Sequence, residues 1–128
     1  MGAKSPLTGG IKESNAGSEW PQALAVMGIR ALVVEGQPEE KGEYWMVHLS
    51  WDADAGQPKV EFAPAGEYVG LTTQKAFDKL FENFGKLTAA GIGVSGEYQY
   101  GNSGICFEDM SRRATRYAGR GGLGAVMG

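Results

Sequence analysis

Glycine constrains this chain more than any other residue: 21 of its 128 positions are glycine, against a usual share of roughly 7%. Glycine has no Cβ, so it reaches φ > 0 freely and lets a second backbone or a ligand come close. The glycines follow no Gly-X-Y register, which excludes a collagen-like chain. They gather at 9–10, 17, 85–104 and 119–128, a pattern that points to several tight backbone approaches rather than one linker. The densest cluster lies in the C-terminal run RYAGRGGLGAVMG, residues 116–128.

The charge pattern singles out the same end. The formal net charge is −3. From residue 112 onward Arg112, Arg113, Arg116 and Arg120 meet no acid, so this tail carries +4 and the rest of the chain −7. A general nucleic-acid binder spreads basic charge over a whole face, so no nucleic-acid partner is expected; a local anion site is. With 42% apolar and 21% charged residues the composition is globular, and the length suits one domain with a modest core. No apolar run approaches the roughly 20 residues of a membrane-spanning helix. The opening MGAKSPLTGG has no apolar stretch of a secretory signal, so no membrane partner is expected. Cys106 is the only cysteine. One thiol excludes an internal disulfide, a zinc site of several thiolates and a self-contained iron–sulfur cluster, which needs about four. A reducing cytoplasm is the default location.

Periodicity and turn chemistry give the elements. Residues 5–17 are turn-rich, with Asn15-Ala16-Gly17 as a turn. Ser18 caps a helix over about 19–27, with Trp20, Leu24 and Met27 on one face and Gly28 at its stop. Arg30–Glu35 (RALVVE) is expected as a buried strand, residues 36–42 as a loop, and Glu43–Ser50 as a second strand covered on both faces. A turn over 52–58 leads to a short strand, Lys59–Ala63. Thr72 or Thr73 then caps a helix to about Phe84, with Ala76, Phe77, Leu80, Phe81 and Phe84 as its apolar stripe and Gly85 past its end. Leu87–Val94 is a glycine-weakened strand, a further strand falls around Gly104–Glu108, and Leu123–Met127 opens a helix. The fold class expected is α+β, with mixed or antiparallel sheets and a few flanking helices.

Gly119-Arg120-Gly121-Gly122-Leu123-Gly124 formally matches G-x-G-x-x-G. The dinucleotide fingerprint also needs an apolar strand before it and an acidic residue about 20 positions later; RRATRYA precedes it and no such acid follows. A P-loop needs a Gly-Lys-Ser/Thr that is absent. Two readings stay open on the residues alone. Backbone N–H groups bared by glycine could cradle a phosphate, with Arg116 and Arg120 adding charge-assisted donors. Alternatively, the run is a glycine-rich turn packed on a sheet, its arginines in solvent.

Longer motifs carry a resemblance. RYAGRGGLGAVMG resembles the pterin-phosphate segment of the tungsten-dependent aldehyde ferredoxin oxidoreductase family. Lys4-Ser5-Pro6-Leu7-Thr8-Gly9 with Asn15-Ala16-Gly17 is similar to that family's Ser-Pro-Leu-Thr-Gly block and its downstream Asn-x-Gly. Ala31–Gly36 resembles the strand after its first helix, and Ser95-Gly96-Glu97 falls where it has Gly-Pro-Ala-Gly-Glu. Ala63-Pro64-Ala65-Gly66-Glu67 resembles that last motif more closely but comes too early in the chain. The matches run in family order along nearly the whole sequence.

The resemblance implies a tungsten (or molybdenum) bis-pterin oxidoreductase. Such an enzyme oxidises aldehydes (or related oxo compounds) to acids and passes electrons through a 4Fe-4S cluster to ferredoxin. This segment would be part of its N-terminal, cofactor-binding domain, truncated at both ends. The cluster cysteines and the catalytic acid and histidine lie outside it, so the 128 residues alone are expected to be inactive. Mapped residue by residue, the cofactor-binding positions are Asn15, Ala16, Gly17, Arg116, Tyr117, Ala118, Gly119, Arg120, Gly121 and Gly122. The backbone carbonyls of Asn15 and Tyr117 would hold a magnesium ion, a hard cation suited to oxygen ligands beside phosphates. A homodimer is one assembly open to the whole enzyme. The alternative from a different class is a free-standing glycine-loop phosphate-binding module without redox chemistry. Outside these motifs, His48, mid-strand, is expected to be structural and Cys106 a small core residue. Glu97 is read as a turn or domain-contact residue, Trp20, Trp45 and Trp51 as core, and Asp52 and Asp54 as solvated loop charge.

Overall fold

The computed structural model describes residues 1–128. They form two compact units, the first made of Met1–Trp20 with Tyr68–Gly128, the second of Pro21–Glu67.

Unit 1 opens with a small antiparallel hairpin, β1 (Gly2–Lys4) against β2 (Ile11–Glu13). Its loop closes where Ser5 N–H donates to Gly10 O and Gly9 N–H to Ser5 O, Gly9 taking φ 73°. The sequence reads here only as turns, because three-residue strands are too short to show alternation. Asn15–Gly17 leaves β2 as irregular backbone, without the turn expected there.

The helix expected after Thr72 is present as α2 (Thr73–Phe84). The Thr72 hydroxyl accepts the Lys75 N–H, and Gly85 (φ 74°) donates its N–H to Phe81 O, so both ends meet partners from the predicted residues. Ala76 and Phe77 are buried, while Phe84 is exposed.

A three-stranded antiparallel sheet in the order β5-β6-β7 completes this unit: β5 (Ala90–Gly91), β6 (Ile105–Glu108) and β7 (Ala114–Ala118). Strand side chains alternate between faces. Cys106 of β6 meets Phe77, Ala89, Leu80 and Phe81 on the α2 side. Ile105 and Phe107 join Ala118 and Leu123 on the other, where Ala3, Ala16 and Trp20 cover them. The expected Leu87–Val94 strand shrinks to two residues, its remaining glycines finding no ladder. Strand β7 was not expected at all; it is polar and lies at the sheet edge, where a strand needs no apolar run.

Two short helices, α3 (Val94–Glu97) and α4 (Leu123–Met127), meet through glycine. A Cβ on Gly96 would stand 2.6 Å from Ile92 Cβ and 3.1 Å from Gly124 O, and one on Gly128 would run into Gly96 O.

Helix α1 (Trp20–Val26) begins on the last residue of the first stretch of unit 1 and continues into unit 2; its Trp20 N–H is capped by Ser18 Oγ at 3.2 Å and it stops at Gly28 (φ 72°). The second feature of unit 2 is a long hairpin, β3 (Trp45–Asp52) against β4 (Gln57–Pro64), in register from Trp45↔Pro64 to Asp52↔Gln57. Asp52 is more than solvated charge: Oδ1 accepts the N–H groups of Asp54 and Ala55, shaping the turn.

Three expectations fail here; the first is that the strand over Glu43–Ser50 is covered on both faces, since Trp45 on it is 48% exposed and Phe62, opposite Val47, 63%. Arg30–Glu35 is not a buried strand; it is irregular and exposed, Val33 at 76% and Val34 at 64%. Its β-branched residues suit a strand, but a strand exists only as a pair, and β3 and β4 pair only with each other. Trp45 and Trp51, expected in the core, are about half exposed; only Trp20 packs against a buried cluster. The fold class stands as α+β, with every strand pairing antiparallel. No helix is long and apolar enough to cross a membrane.

Candidate functional site

Two hydroxyls tie the glycine run to the N-terminal hairpin. Ser14 Oγ accepts the Arg120 N–H at 3.1 Å, and Ser5 Oγ donates to Gly121 O at 2.6 Å. Ser5 Oγ also accepts the N–H groups of Leu7 and Thr8. Both serines are buried, and the bonds span 106 and 116 residues. The segments around Asn15 and around Arg120 are therefore neighbours in space.

The glycines of the run divide by task. Gly121 and Gly122 take φ 79° and 69°, the left-handed region that costs other L-residues about 1–2 kcal/mol. A Cβ on Gly121 would sit 2.8 Å from Lys12 Cβ; one on Gly122 would collide with Gly101 O. A Cβ on Gly124 would stand 2.9 Å from the Gly104 carbonyl carbon. Gly119 differs: its φ is not positive and nothing lies within 4 Å of its Cβ position. The run thus contains packed glycines at 121, 122 and 124 and an open one at 119. The N–H groups of Gly121 and Gly122 donate to no protein acceptor.

The four arginines divide as well. Arg113 is spent on Asp109: its N–H donates to Oδ1 at 3.0 Å, and its Nε and Nη2 reach Oδ2 at 3.0 and 2.9 Å. Asp109 also accepts Ser111 N–H and the Thr115 hydroxyl. These donors, the Arg113 N–H first, hold its carboxyl far below the usual carboxylate range. Arg112, at φ 59°, places its guanidinium 5.0 Å from the Phe81 ring centre, a cation–π distance. Arg116 and Arg120 are exposed and have no ion pair.

Tyr117 sends its backbone and side chain to different places. Ala118 O lies 3.0 Å from the Cβ position of Gly104, beside β6. Successive carbonyls in a strand alternate in direction, so the Tyr117 carbonyl turns to the free edge of the sheet. Its ring lies on the α2 side, with OH 3.4 Å from Thr73 Oγ1. There Tyr117 lines a cavity of about 270 Å³ with Thr72, Thr73, Gly93, Val94, Ser95 and Gly104. Asn15 and Gly17 are exposed, Ala16 half-buried and Ala118 fully buried in the core.

The other flagged residues have structural settings. Cys106 is wholly buried, and that burial pushes its thiol pKa up. His48 faces Glu61 at 3.9 Å on the polar side of the β3–β4 hairpin. Glu97 accepts the Gly70 N–H with both oxygens, at 3.1 and 3.0 Å. Sequence reasoning missed Ser5 and Ser14, since small hydroxyls among Gly and Pro read as turn formers. It gave Asp109 no role of its own, although the Asp109/Arg113 spacing was a usable signal. It also passed over Glu108, a fully buried carboxylate on β6. There Oε2 accepts Ala89 N–H at 2.7 Å, Oε1 has no partner, and burial raises the pKa.

Comparison with known proteins agrees over the full length. The family model "Aldehyde ferredoxin oxidoreductase, N-terminal domain" matches residues 1–128. The chain is 32% identical over 127 residues to the tungsten-containing aldehyde ferredoxin oxidoreductase of Pyrococcus abyssi, covering 98% of this chain and 19% of that protein. The namesake of Thermococcus kodakarensis is 34% identical and that of Pyrococcus furiosus 32%, each with the same coverage. The chain therefore spans about a fifth of the length of the curated relatives it matches. No solved structure matches it. An Arg-flanked glycine run tied to the N-terminal Ser-Pro-Leu-Thr-Gly block, in a sequence matched from end to end, places this chain in the aldehyde ferredoxin oxidoreductase family, as its N-terminal domain.

Proposed function

We propose that this chain is the cofactor-binding part of a longer tungsten or molybdenum bis-pterin oxidoreductase that converts aldehydes to acids in the cytoplasm, with ferredoxin as the electron acceptor. The carrying observation is the Ser14–Arg120 contact. It brings Asn15–Gly17 beside Arg116–Gly122 and leaves unspent polar groups there. Two exposed guanidinium groups, two undonated N–H groups, an edge-facing carbonyl at Tyr117 and open space over Gly119 suit a phosphorylated ligand with its counter-cation.

In this reading Arg116 and Arg120 clamp the pterin phosphates, and the Gly119–Gly122 backbone lies against them. The carbonyls of Asn15 and Tyr117 hold magnesium, whose preference for hard oxygens fits peptide carbonyls next to phosphate. When bound, the metallopterin supplies the two-electron redox chemistry; the protein binds and orients it. Arg113 and Arg112 shape the approach to the loop without touching the ligand. The 4Fe-4S cluster belongs to residues outside this segment, since Cys106 is a single buried thiol. The segment alone is inactive.

The test is made on the full-length protein with Arg116→Ala, Arg120→Ala and Arg112→Ala. A charge-assisted hydrogen bond is worth about 1.5–3 kcal/mol, so each of the first two should weaken cofactor retention by roughly 10- to 150-fold. Arg112→Ala should keep wild-type occupancy. Tungsten and pterin analysis of purified protein reads the outcome; unchanged occupancy in both Arg116→Ala and Arg120→Ala overturns the assignment.

A further inference from the structure

The register of the β3–β4 hairpin gathers its polar side chains on one face, with Met46 and Ala63 the apolar residues among them. Trp45↔Pro64, Val47↔Phe62, Leu49↔Val60 and Trp51↔Pro58 share one face. Met46↔Ala63, His48↔Glu61, Ser50↔Lys59 and Asp52↔Gln57 share the other. The second face suits water: Lys59 Nζ pairs with Glu61 at 2.7 Å, His48 sits beside the same carboxylate, and the turn aspartate lies at its end. The first face has no polar side chain, yet Trp45 is 48%, Trp51 52%, Val60 50% and Phe62 63% exposed.

Taking about 200 Å² for each aromatic side chain, these four alone leave roughly 400 Å² of apolar surface in water, and exposed Pro64 with half-buried Val47, Leu49 and Pro58 add to it. That is the size at which a patch signals an interaction site. It matches one side of an interface between parts of a single polypeptide, about 600–1,500 Å² in total, where tethering replaces the cost of bringing two molecules together. The relatives supply such a tethered part, since about four fifths of each lies outside the matched region.

We propose that the Trp45/Trp51/Val60/Phe62 face is an interface between this segment and the portion of the full-length protein beyond it. The inference rests on the chain being part of a longer family member, but not on how the pterin is held. An apolar, predominantly aliphatic or aromatic surface of the same polypeptide is the occupant; the Lys59–Glu61 face stays in solvent.

Hydroxyl-radical footprinting of the full-length gene product and of the isolated 128-residue chain, read by peptide mass spectrometry, tests this. Oxidation of Trp45, Trp51 and Phe62 should fall about tenfold in the longer protein, the equivalent of 1.4 kcal/mol of bias toward the covered state. Tyr98, exposed in unit 1, serves as the unchanged internal standard. Equal labelling in both proteins overturns the proposal. So does a reading frame that ends at Gly128, or protection of the isolated chain that grows with concentration, which would assign a second copy instead. Tungsten analysis of the same samples keeps the two readings apart. Protection without cofactor leaves the interface standing and counts against the pterin site alone; cofactor without protection does the reverse.

Discussion

Alanine at position 122 probes whether the glycine run is architecture or ligand surface. Gly122 has φ 69° and its added Cβ would collide with Gly101 O, with Pro6 Cγ at 3.2 Å. The left-handed conformation costs an L-residue about 1–2 kcal/mol, and forcing a methyl group into a filled space adds about 1–3 kcal/mol. Alanine also restricts the unfolded chain, returning about 0.4–1 kcal/mol. The net loss for Gly122→Ala is roughly 1–5 kcal/mol, a large share of the 5–15 kcal/mol that holds a typical domain together. Gly119 meets neither obstacle, so Gly119→Ala should be neutral or more stable by up to about 1 kcal/mol. Urea titration of the two variants, followed by far-UV circular dichroism, measures both. Midpoints that coincide, or a Gly119 variant weaker than the Gly122 one, would refute the division of the run into packed and open glycines.

Two further outcomes follow from buried polar atoms. Ser14→Ala strands the Arg120 N–H and should cost about 1–3 kcal/mol in the same titration; an unchanged midpoint would mean water replaces the hydroxyl freely. Glu108 has a raised folded pKa from burial, so the fold binds more protons than the unfolded chain just above pH 4.5. Its contribution is best below the unfolded value near 4.5 and is lost as pH rises through the folded one. Glu108→Gln should therefore gain stability over wild type at pH 7–8 and show no gain near pH 4. Asp109, depressed by its donors, acts in the opposite sense, contributing above pH 3.8 and failing as acid protonates it. A Glu108→Gln advantage that does not vary with pH would show that the carboxyl is not the titrating group.

The sequence made α2 legible because each part of it is local. A threonine cap, a stripe at helical spacing and a terminal glycine lie within 14 residues of one another. Strand β6 was legible through its apolar alternation. What failed was pairing. RALVVE has strand residues and no partner; RATRYA has a partner and few strand residues, and only the second became a strand. The motif segments were visible as strings, but the Ser5 and Ser14 bonds that unite them depend on residues more than a hundred positions away, beyond any local window. The fate of the arginines was half legible: the Asp109/Arg113 spacing signals that pair, but nothing in RRATR itself says that Arg116 stays free.

The discontinuity of unit 1 bears on how the site tolerates change in length. Unit 2, Pro21–Glu67, lies inside the loop closed by the Ser14–Arg120 bond. The entropic cost of closing a flexible loop grows only with the logarithm of its length, so even doubling it adds about 0.6 kcal/mol. Insertions or deletions within residues 21–67 should therefore leave the Ser14–Arg120 junction almost unaffected in equilibrium terms. The cost appears in time instead. During synthesis the hairpin that carries Ser5 and Ser14 must wait for Arg120 and Gly121, and contacts so distant along a chain form slowly. The N-terminal half of this junction is made first and completed last.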